Sequence, residues 1–246
     1  MWRWFRRPPA DPTVFHVTHP KAGSQWVYDV LMQVAGARIV TPVVGVAQVR
    51  EAPIRPGGVY PTVYLTRHEL DAVAIPEPSI RFVVIRDLRD TLVSLYFSKR
   101  FSHPLISQRL VEDRKLLEAQ DRQQGLRFCL VERLERGAKI QESWLDGPEP
   151  VFRYEDLIRE PLSGFKRIFE HCRIAVPAEE LEGVVKAASF ENRSGRSLGT
   201  EDIASHLRRG LPGDWVNHFD DALKADFKKA YGPLLVRAGY ERDESW

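Results

Sequence analysis

Cysteine is scarce in the sequence, and long apolar runs and an excess of one charge sign are absent. The two cysteines, Cys129 and Cys172, are too few for a disulfide framework and form no zinc-binding pattern, which fits a reducing compartment such as the cytoplasm. No run reaches the roughly eighteen apolar residues of a membrane span, so no transmembrane segment is expected. The formal net charge of only +2 says little about partners, so any anion binding must come from local clusters. The expected partners do not include a nucleic acid.

The length and composition suit one folded domain. A chain of 246 residues with 43% apolar and 28% charged residues is long enough for one sizeable core. The first residues, M-W-R-W-F-R-R, lack the apolar core of a signal peptide. Their aromatic and basic mixture suits either a frayed terminus or contact with a membrane surface. We therefore expect a tail over 1–12 and a single domain over 13–246.

Short β-rich runs alternate with helix-length segments, which indicates an α/β protein. The predicted strands are 13–17, 63–66, 81–85 and 151–154, and the predicted helices are 24–34, 87–101, 110–136, 162–172 and 220–238. This order predicts a parallel sheet with helices on both faces, which binds ligands beyond the carboxyl ends of its strands. The Gly-, Ser- and Arg-rich segment 191–214 is too long for a simple connector and is predicted to be a functional loop.

The segment T-H-P-K-A-G-S-Q-W at 18–26 lies between a predicted strand and a predicted helix. Unpaired amides at a helix start, together with the helix dipole, favour an anion. Gly23 lets the backbone approach the anion closely, Ser24 adds a hydroxyl and Lys21 adds charge. The alternative is an ordinary strand-to-helix turn capped by Ser24.

This segment differs from the nucleotide-triphosphate loop G-x-x-x-x-G-K-[ST], whose lysine follows the glycines, because here the lysine comes first. It resembles instead PKSGTTW, the 5′-phosphosulfate loop of the cytosolic-type sulfotransferases. Pro20, Lys21, Gly23 and Trp26 match that loop, Ser24 is a conservative change, and Ala22 and Gln25 depart from it.

A second anion site is indicated where the third predicted strand runs into a helix. Arg86 lies at the end of the strand, and Ser94 follows a little over two helical turns later. A guanidinium offers a bidentate fork to phosphate, although Arg86 could instead pair with Asp87 or Asp90. The 3′-phosphate motif of the sulfotransferases has the same rhythm, and Arg86, Asp90, Ser94 and Tyr96 match it.

A third segment, L-R-R-G-L-P-G-D-W-V-N-H-F at 207–219, resembles the late motif of the same family. The matching residues are Arg208, Gly210, Gly213, Asp214, Trp215 and Phe219, and Arg209 replaces the usual lysine. The resemblance implies that Arg208, Arg209 and the amide of Gly210 hold the 3′-phosphate. Without the other two motifs, a solvated basic loop would be the simpler interpretation.

Two shorter matches concern the adenine. The tripeptide Y-E-D at 154–156 and the pair S-F at 189–190 resemble family motifs. The resemblance implies that Trp26 and Phe190 sandwich the adenine, with Tyr154 near its edge. Aromatic stacking on a base contributes about 1–3 kcal/mol.

The combined resemblance implies a single-domain, three-layer α/β/α fold with a central parallel sheet, the P-loop-like sulfotransferase fold. It further implies transfer of a sulfuryl group from 3′-phosphoadenosine 5′-phosphosulfate (PAPS) to a hydroxyl or an amine, with no metal ion. The residues expected to bind PAPS are Lys21, Ala22, Gly23, Ser24, Gln25, Trp26, Arg86, Ser94, Tyr154, Phe190, Arg208, Arg209 and Gly210. The acceptor, a small molecule, a lipid or a carbohydrate, stays open, and the variable segments 40–59, 102–116 and 195–204 are expected to bind it. The alternatives are a P-loop-type nucleoside or small-molecule kinase and an inactive nucleotide-binding protein of the same fold.

Sulfuryl transfer calls for a cation at the leaving group and a base at the acceptor. Lys21, beside the 5′-phosphate, is the natural cation for the oxygen that bridges phosphorus and sulfur. Histidine is the usual base near neutral pH. The family carries its catalytic histidine in a KTH tripeptide, which implies His68 here, with Arg67 available in place of the missing lysine; a surface histidine is the alternative. His19 and Glu69 are the other candidate bases.

Overall fold

The computed structural model describes residues 11–43 and 48–246; of the predicted tail 1–12, only the last two positions fall within them. In this part of the chain, four strands form one sheet: β1 (Thr13–Thr18), β2 (Val59–Val63), β3 (Ser79–Ile85) and β4 (Val151–Arg153). All neighbouring strands are parallel, in the order β2-β1-β3-β4. The predicted parallel sheet is confirmed, and the carboxyl ends of all strands meet at one edge.

Helices and short helical turns make up most of the rest. In chain order they are α1 (Ser24–Ala35), α2 (Gln48–Glu51), α3 (Arg67–Asp71), α4 (Leu88–Phe97), α5 (Gln108–Glu118), α6 (Arg122–Glu132), α7 (Glu135–Trp144), α8 (Tyr154–Arg159), α9 (Pro161–His171), α10 (Ala178–Ala187), α11 (Phe190–Ser194) and α12 (Asp221–Arg237). A π-helical turn, Ser98–Ser102, continues α4, and 3-10 turns occupy Gly36–Arg38 and Asp214–Asn217. Among the described residues, no helix is both long enough and apolar enough to cross a membrane.

The sheet is covered on both faces because successive strand residues point in opposite directions. Val14 of β1 packs in an apolar cluster with residues of α1, α9 and α10. The next residue, Phe15, packs in a different cluster with Leu70 of α3 and Trp144 of α7. The predicted α/β/α layering is confirmed, and the binding edge of the sheet lies between the two helical layers.

Two predicted elements are wrong in their extent. The segment 110–136 is not one helix but is divided among α5, α6 and the start of α7. Asp121 accepts a hydrogen bond from the Gln124 amide in a capping box that starts α6, a break that the sequence D-R-Q-Q does encode. The second strand is Val59–Val63 rather than 63–66, and it tolerates Pro61 because β2 is at the edge of the sheet.

Smaller differences concern the ends of elements near the binding edge. Tyr154 begins α8 instead of ending a strand. The helix predicted over 87–101 ends at Phe97 and passes into the π-helical turn. The predicted loop 191–214 is preceded by α10, which the sequence reading did not include, and its first residues belong to α11.

Candidate active site

The loop after β1 leads into an uncapped helix start. Gly23 is the N-cap of α1 with φ of +80°, and no side chain caps the helix. A β-carbon at Gly23 would lie 2.5 Å from Cδ2 of Tyr154, so both the backbone angle and the close approach require glycine. The Ser24 hydroxyl lies 2.8 Å from the Tyr64 hydroxyl instead of capping the helix. The interpretation as a turn capped by Ser24 therefore does not hold, and the helix start is suited to an anion.

Lys21 lies where positive charges from three separate motifs converge. Its φ of +72° is the left-handed conformation that non-glycine residues seldom adopt. Burial, together with the charges of Arg86 and Arg208, lowers the pKa of Lys21 from 10.5 to about 8. Lys21, Arg86 and Arg208 thus repel one another across a common space, and an anion between them would relieve that repulsion.

Arg86 contacts the first loop directly. Its Nη1 donates to the Lys21 carbonyl oxygen at 2.9 Å, and its guanidinium lies 4.7 Å from the Tyr154 ring. Its pairing with Asp90 is loose, at 3.9 Å, whereas Asp87 pairs with a different arginine. The Nε atom of Arg86 is buried and has no hydrogen-bond partner among the described protein atoms. Arg86 therefore retains donor capacity for a ligand.

Asp214 holds both arginines of the third motif. Arg208 pairs with one of its carboxylate oxygens and Arg209 with the other, and Arg208 also pairs with Glu201. Burial opposes ionisation of Asp214, but hydrogen bonds from His218 and its other neighbours hold its pKa well below the usual range. Asp214 thus stays ionised and fixes the two guanidinium groups in place.

The second and third motifs adjoin in space although 123 residues separate Asp90 from Gly213. Asp90 of α4 accepts a hydrogen bond from the Gly213 amide at 2.6 Å. The Arg208 guanidinium lies 4.5 Å from the Phe97 ring, one helical turn beyond the half-buried Ser94 on the same face of α4. The structure therefore brings the two predicted 3′-phosphate motifs together.

Trp26 and Tyr154 meet beside the first loop. Their rings pack edge to face with centroids 6.1 Å apart, and Trp26 also packs edge-on against Phe165 at 5.0 Å. Trp26 is partly exposed, so part of its ring is available to a ligand.

Phe190 begins α11, which lies beside α1 because Arg193 and Asp29 form an ion pair at 2.9 Å. A β-carbon on Gly210, where φ is +74°, would lie 2.6 Å from Cδ2 of Phe190, so the third motif runs against this ring. No ring contact joins Phe190 to Trp26 among the described residues, so the predicted adenine sandwich stays a prediction.

The remaining two residues of the predicted first loop differ in exposure. Ala22 is completely buried, and its amide donates to the His19 carbonyl oxygen at 3.2 Å, which closes the turn. Gln25 is exposed on the first turn of α1, where its side chain can reach a ligand from outside.

His68 lies apart from this cluster. It is exposed on α3, a short helix that begins at Thr66 with a capping box completed by Glu69. It lines a cavity of about 540 Å³ between α2 and α3. Among the described residues, neither a hydrogen bond nor an ion pair engages its imidazole, and no contact joins it to Lys21.

The two alternative bases are less suited to the role. His19 is completely buried, with Nε2 3.0 Å from the Gln141 side-chain oxygen, and burial lowers its pKa to about 4. A hydrogen bond from Arg136 lowers the pKa of Glu69 to about 2. Both groups hold the structure of neighbouring loops, whereas the His68 side chain is exposed and is engaged by no hydrogen bond or ion pair among the described residues.

Two further neighbours of the first loop were not predicted from the sequence. His206 is exposed on the segment after α11, and the charge of Lys21, followed by burial and the charge of His103, lowers its pKa to about 4. Tyr64 reaches the first loop from the end of β2. Neither lies in a recognisable motif, because each is placed by the path of a separate chain segment.

One group of side chains has the composition of a metal site. Ligand atoms of Glu201, Asp214 and His218 lie within 4.8 Å of one another. Arg208 and Arg209 already pair with the two carboxylates. A cation there would have to displace two guanidinium groups, which makes the group a poor metal site.

Comparisons with known proteins identify the family. The family model for the sulfotransferase domain matches residues 66–239. The human protein Sulfotransferase 1C2 is 24% identical over an alignment of 252 positions, and this alignment covers 87% of this chain and 80% of that protein. The 3-alpha-hydroxysteroid sulfotransferase of Cavia porcellus is 26% identical over an alignment of 257 positions, and this alignment covers 94% of this chain and 85% of that protein.

Solved structures agree on the fold. Mouse sulfotransferase SULT7A1, complexed with PAP, superposes with a TM-score of 0.65 at 19% identity, over 92% of this chain and 85% of that one. Retinol dehydratase, complexed with androsterone and PAP, gives a TM-score of 0.60 at 13% identity, over 93% and 82%. The predicted P-loop-like sulfotransferase fold is confirmed. Because the family model spans well over half of the chain, the protein belongs to the sulfotransferase family and is a PAPS-dependent sulfotransferase enzyme.

Proposed function

We propose that this enzyme transfers the sulfuryl group of PAPS to the hydroxyl of a small, largely apolar acceptor without a metal ion. The assignment of PAPS as the sulfuryl donor rests on the convergence of Lys21, Arg86 and Arg208 beside the uncapped start of α1. Three cations and a helix N-terminus suit a ligand that carries a 5′-phosphosulfate and a 3′-phosphate.

Each of the three motifs is assigned a different part of PAPS. In this assignment the loop 21–26 binds the 5′-phosphosulfate and Trp26, Tyr154 and Phe190 surround the adenine. The 3′-phosphate is bound by Arg86, Ser94, Arg208, Arg209 and the amide of Gly210. Asp214 supports this role because it orients both arginines while each guanidinium keeps further N–H donors.

The reaction forms one oxygen–sulfur bond and breaks another. The acceptor oxygen attacks the sulfur of PAPS, its proton passes to Nδ1 or Nε2 of His68, and the bond to the bridging phosphate oxygen breaks. Lys21 neutralises the charge that grows on that oxygen, and stabilisation of this kind contributes several kcal/mol. The same cations cover the charge of the leaving nucleotide, so we propose that no metal ion is needed.

The cavity beside His68 is proposed as the acceptor site. Its volume of about 540 Å³ is within the usual range for small-molecule sites. Seven of the ten residues that line it are apolar: Val49, Ala52, Pro53, Ile54, Ala72, Val73 and Ala74. Arg50, Glu69 and His68 supply the polar part of the wall. We propose that the apolar residues contact the ring system of an alcohol or a phenol and that the polar groups face its hydroxyl.

This assignment uses one of the three segments predicted to bind the acceptor. Residues 49–54 belong to the predicted segment 40–59, of which 44–47 lie outside the described residues. The Cavia porcellus relative is named for hydroxysteroids, an acceptor class of the same apolar character. The segments 102–116 and 195–204 carry exposed apolar side chains, among them Leu105, Ile106 and Leu198, which would extend the surface for a larger acceptor.

We further propose that the enzyme works in the cytoplasm. Cys129 and Cys172 are both free and buried, and burial raises the pKa of each thiol to about 12. Unpaired thiols of this kind fit a reducing compartment.

The test is transfer of labelled sulfuryl from PAPS to a panel that contains a hydroxysteroid, a simple phenol, a sugar and an amine, after treatment with a chelator. We expect product with the steroid or phenol and none with the sugar.

Ala74→Phe, which fills the cavity, should raise the acceptor KM, whereas the matched variant Ala178→Phe at an exposed site on α10 should not. An unchanged acceptor KM in Ala74→Phe would place the acceptor elsewhere.

A further inference from the structure

The Tyr64 hydroxyl lies 2.8 Å from the Ser24 hydroxyl, and Tyr64, unlike Ser24, belongs to none of the three predicted phosphate motifs. We propose that Tyr64 is a positioning residue for the sulfuryl donor, which orients the Ser24 hydroxyl toward the bound 5′-phosphosulfate. This inference rests on the proposed role of the loop 21–26 and goes beyond it, because it assigns a function to a residue outside that loop, directly after β2.

The backbone around Tyr64 is fixed by α7. Arg136 donates to the Tyr64 carbonyl oxygen at 3.0 Å, and the Trp144 indole donates to the Leu65 carbonyl oxygen at 2.9 Å. The next residue, Thr66, starts α3 with a capping box. Three successive residues are thus tied to other elements, so the phenol is presented from a rigid support rather than from a mobile side chain on a loop.

The hydrogen count of the two hydroxyl groups explains what the contact does. Each hydroxyl carries one hydrogen, and their mutual hydrogen bond uses only one of the two. A phenol is more acidic than an alcohol, so Tyr64 is the better donor and Ser24 the acceptor. The Ser24 hydrogen then points away from Tyr64 and is available to an anion at the start of α1, where negative charge is favoured.

Burial keeps this arrangement in the required protonation state. Ser24 is almost fully buried and Tyr64 is partly buried. Burial raises the pKa of the Tyr64 phenol. The phenol therefore keeps its hydrogen throughout the neutral pH range and remains a hydrogen-bond donor to Ser24. Without the Tyr64 hydroxyl, no hydrogen bond among the described residues would fix the rotation of the Ser24 hydroxyl, and its hydrogen would point toward PAPS only part of the time.

The experiment compares Tyr64→Phe with Tyr60→Phe, which removes a hydroxyl from β2, four residues before Tyr64. Tyr60 is buried, and its hydroxyl accepts a hydrogen bond from the Arg55 amide at 2.7 Å, away from the first loop. We expect Tyr64→Phe to raise the PAPS KM and the PAP dissociation constant by about 2- to 12-fold, the range of one neutral hydrogen bond. The acceptor KM should stay unchanged, and Tyr60→Phe should leave both donor constants unchanged.

A double-mutant cycle with Ser24→Ala separates positioning from a general structural effect. If Tyr64 acts through Ser24, Tyr64→Phe should have no further effect on PAP binding in the Ser24→Ala background. Additive effects, donor constants equal to those of the unmutated enzyme, or a shift confined to the acceptor KM would overturn the inference while the proposed function stands. Failure of the unmutated enzyme to bind PAP would overturn both.

Discussion

Nucleotide binding should add a proton to Lys21. In the free enzyme, burial and the charges of Arg86 and Arg208 lower its pKa from 10.5 to about 8. A bound phosphosulfate or phosphate replaces this repulsion with attraction, so we expect the pKa of Lys21 to return to its ordinary value or above it. Below pH 8 the lysine is charged in both states and the affinity should be flat. Above pH 8 the free lysine loses its proton and the affinity should fall.

The size of the effect follows from linkage between binding and protonation. Between the free and the bound pKa of Lys21, the dissociation constant of PAP should rise toward tenfold per pH unit. A full return of the Lys21 pKa to its ordinary value corresponds to about 3 kcal/mol of binding free energy. At pH 9, binding should take up about 0.9 protons per site. Titration calorimetry of PAP at that pH, in buffers with different ionisation enthalpies, measures this number directly.

Lys21→Arg supplies the matched control because a guanidinium stays charged at every pH of the experiment. This variant should bind PAP with little proton uptake at pH 9. An unmutated enzyme that takes up no proton at pH 9 would refute the reasoning about the cation cluster. Equal uptake by Lys21→Arg would show that another group titrates.

Three further predictions concern the other parts of the site. Arg208→Ala should raise the dissociation constant of PAP by about 10- to 100-fold and that of an analogue without the 3′-phosphate much less; equal losses in a binding titration would contradict the assignment. His68→Ala should lower kcat by about 10² to 10⁴-fold in steady-state assays while the PAP dissociation constant stays within about twofold; a fully active variant would remove His68 from the mechanism. Gly210→Ala should weaken PAP binding far more than Gly195→Ala, because both residues have positive φ but only a β-carbon at Gly210 meets Phe190; equal affinities would show that the clash is absorbed.

The three predicted phosphate motifs, and through them the family, can be recognised in the sequence because each motif is a short strand–loop–helix or loop pattern whose chemistry is local. Lys21, Gly23 and Ser24 lie within four positions of one another, so the spacing alone indicates an anion site. The parallel sheet is likewise encoded in the alternation of apolar runs and helix-length segments. The break between α5 and α6 is also encoded locally, in the capping box of Asp121.

Only the tertiary structure decides how these pieces meet. The bonds from Asp90 to Gly213 and from Tyr64 to Ser24 join residues that are 123 and 40 positions apart, and no local pattern specifies such pairs. Pro61 makes β2 hard to predict from the sequence, because a proline is acceptable in a strand only at a sheet edge. Which strand is at the edge is known only once the order of the strands is known. The lowered pKa of Lys21 has the same origin. The sequence supplies each charge, but the fold of the whole chain places Lys21, Arg86 and Arg208 close enough to repel one another.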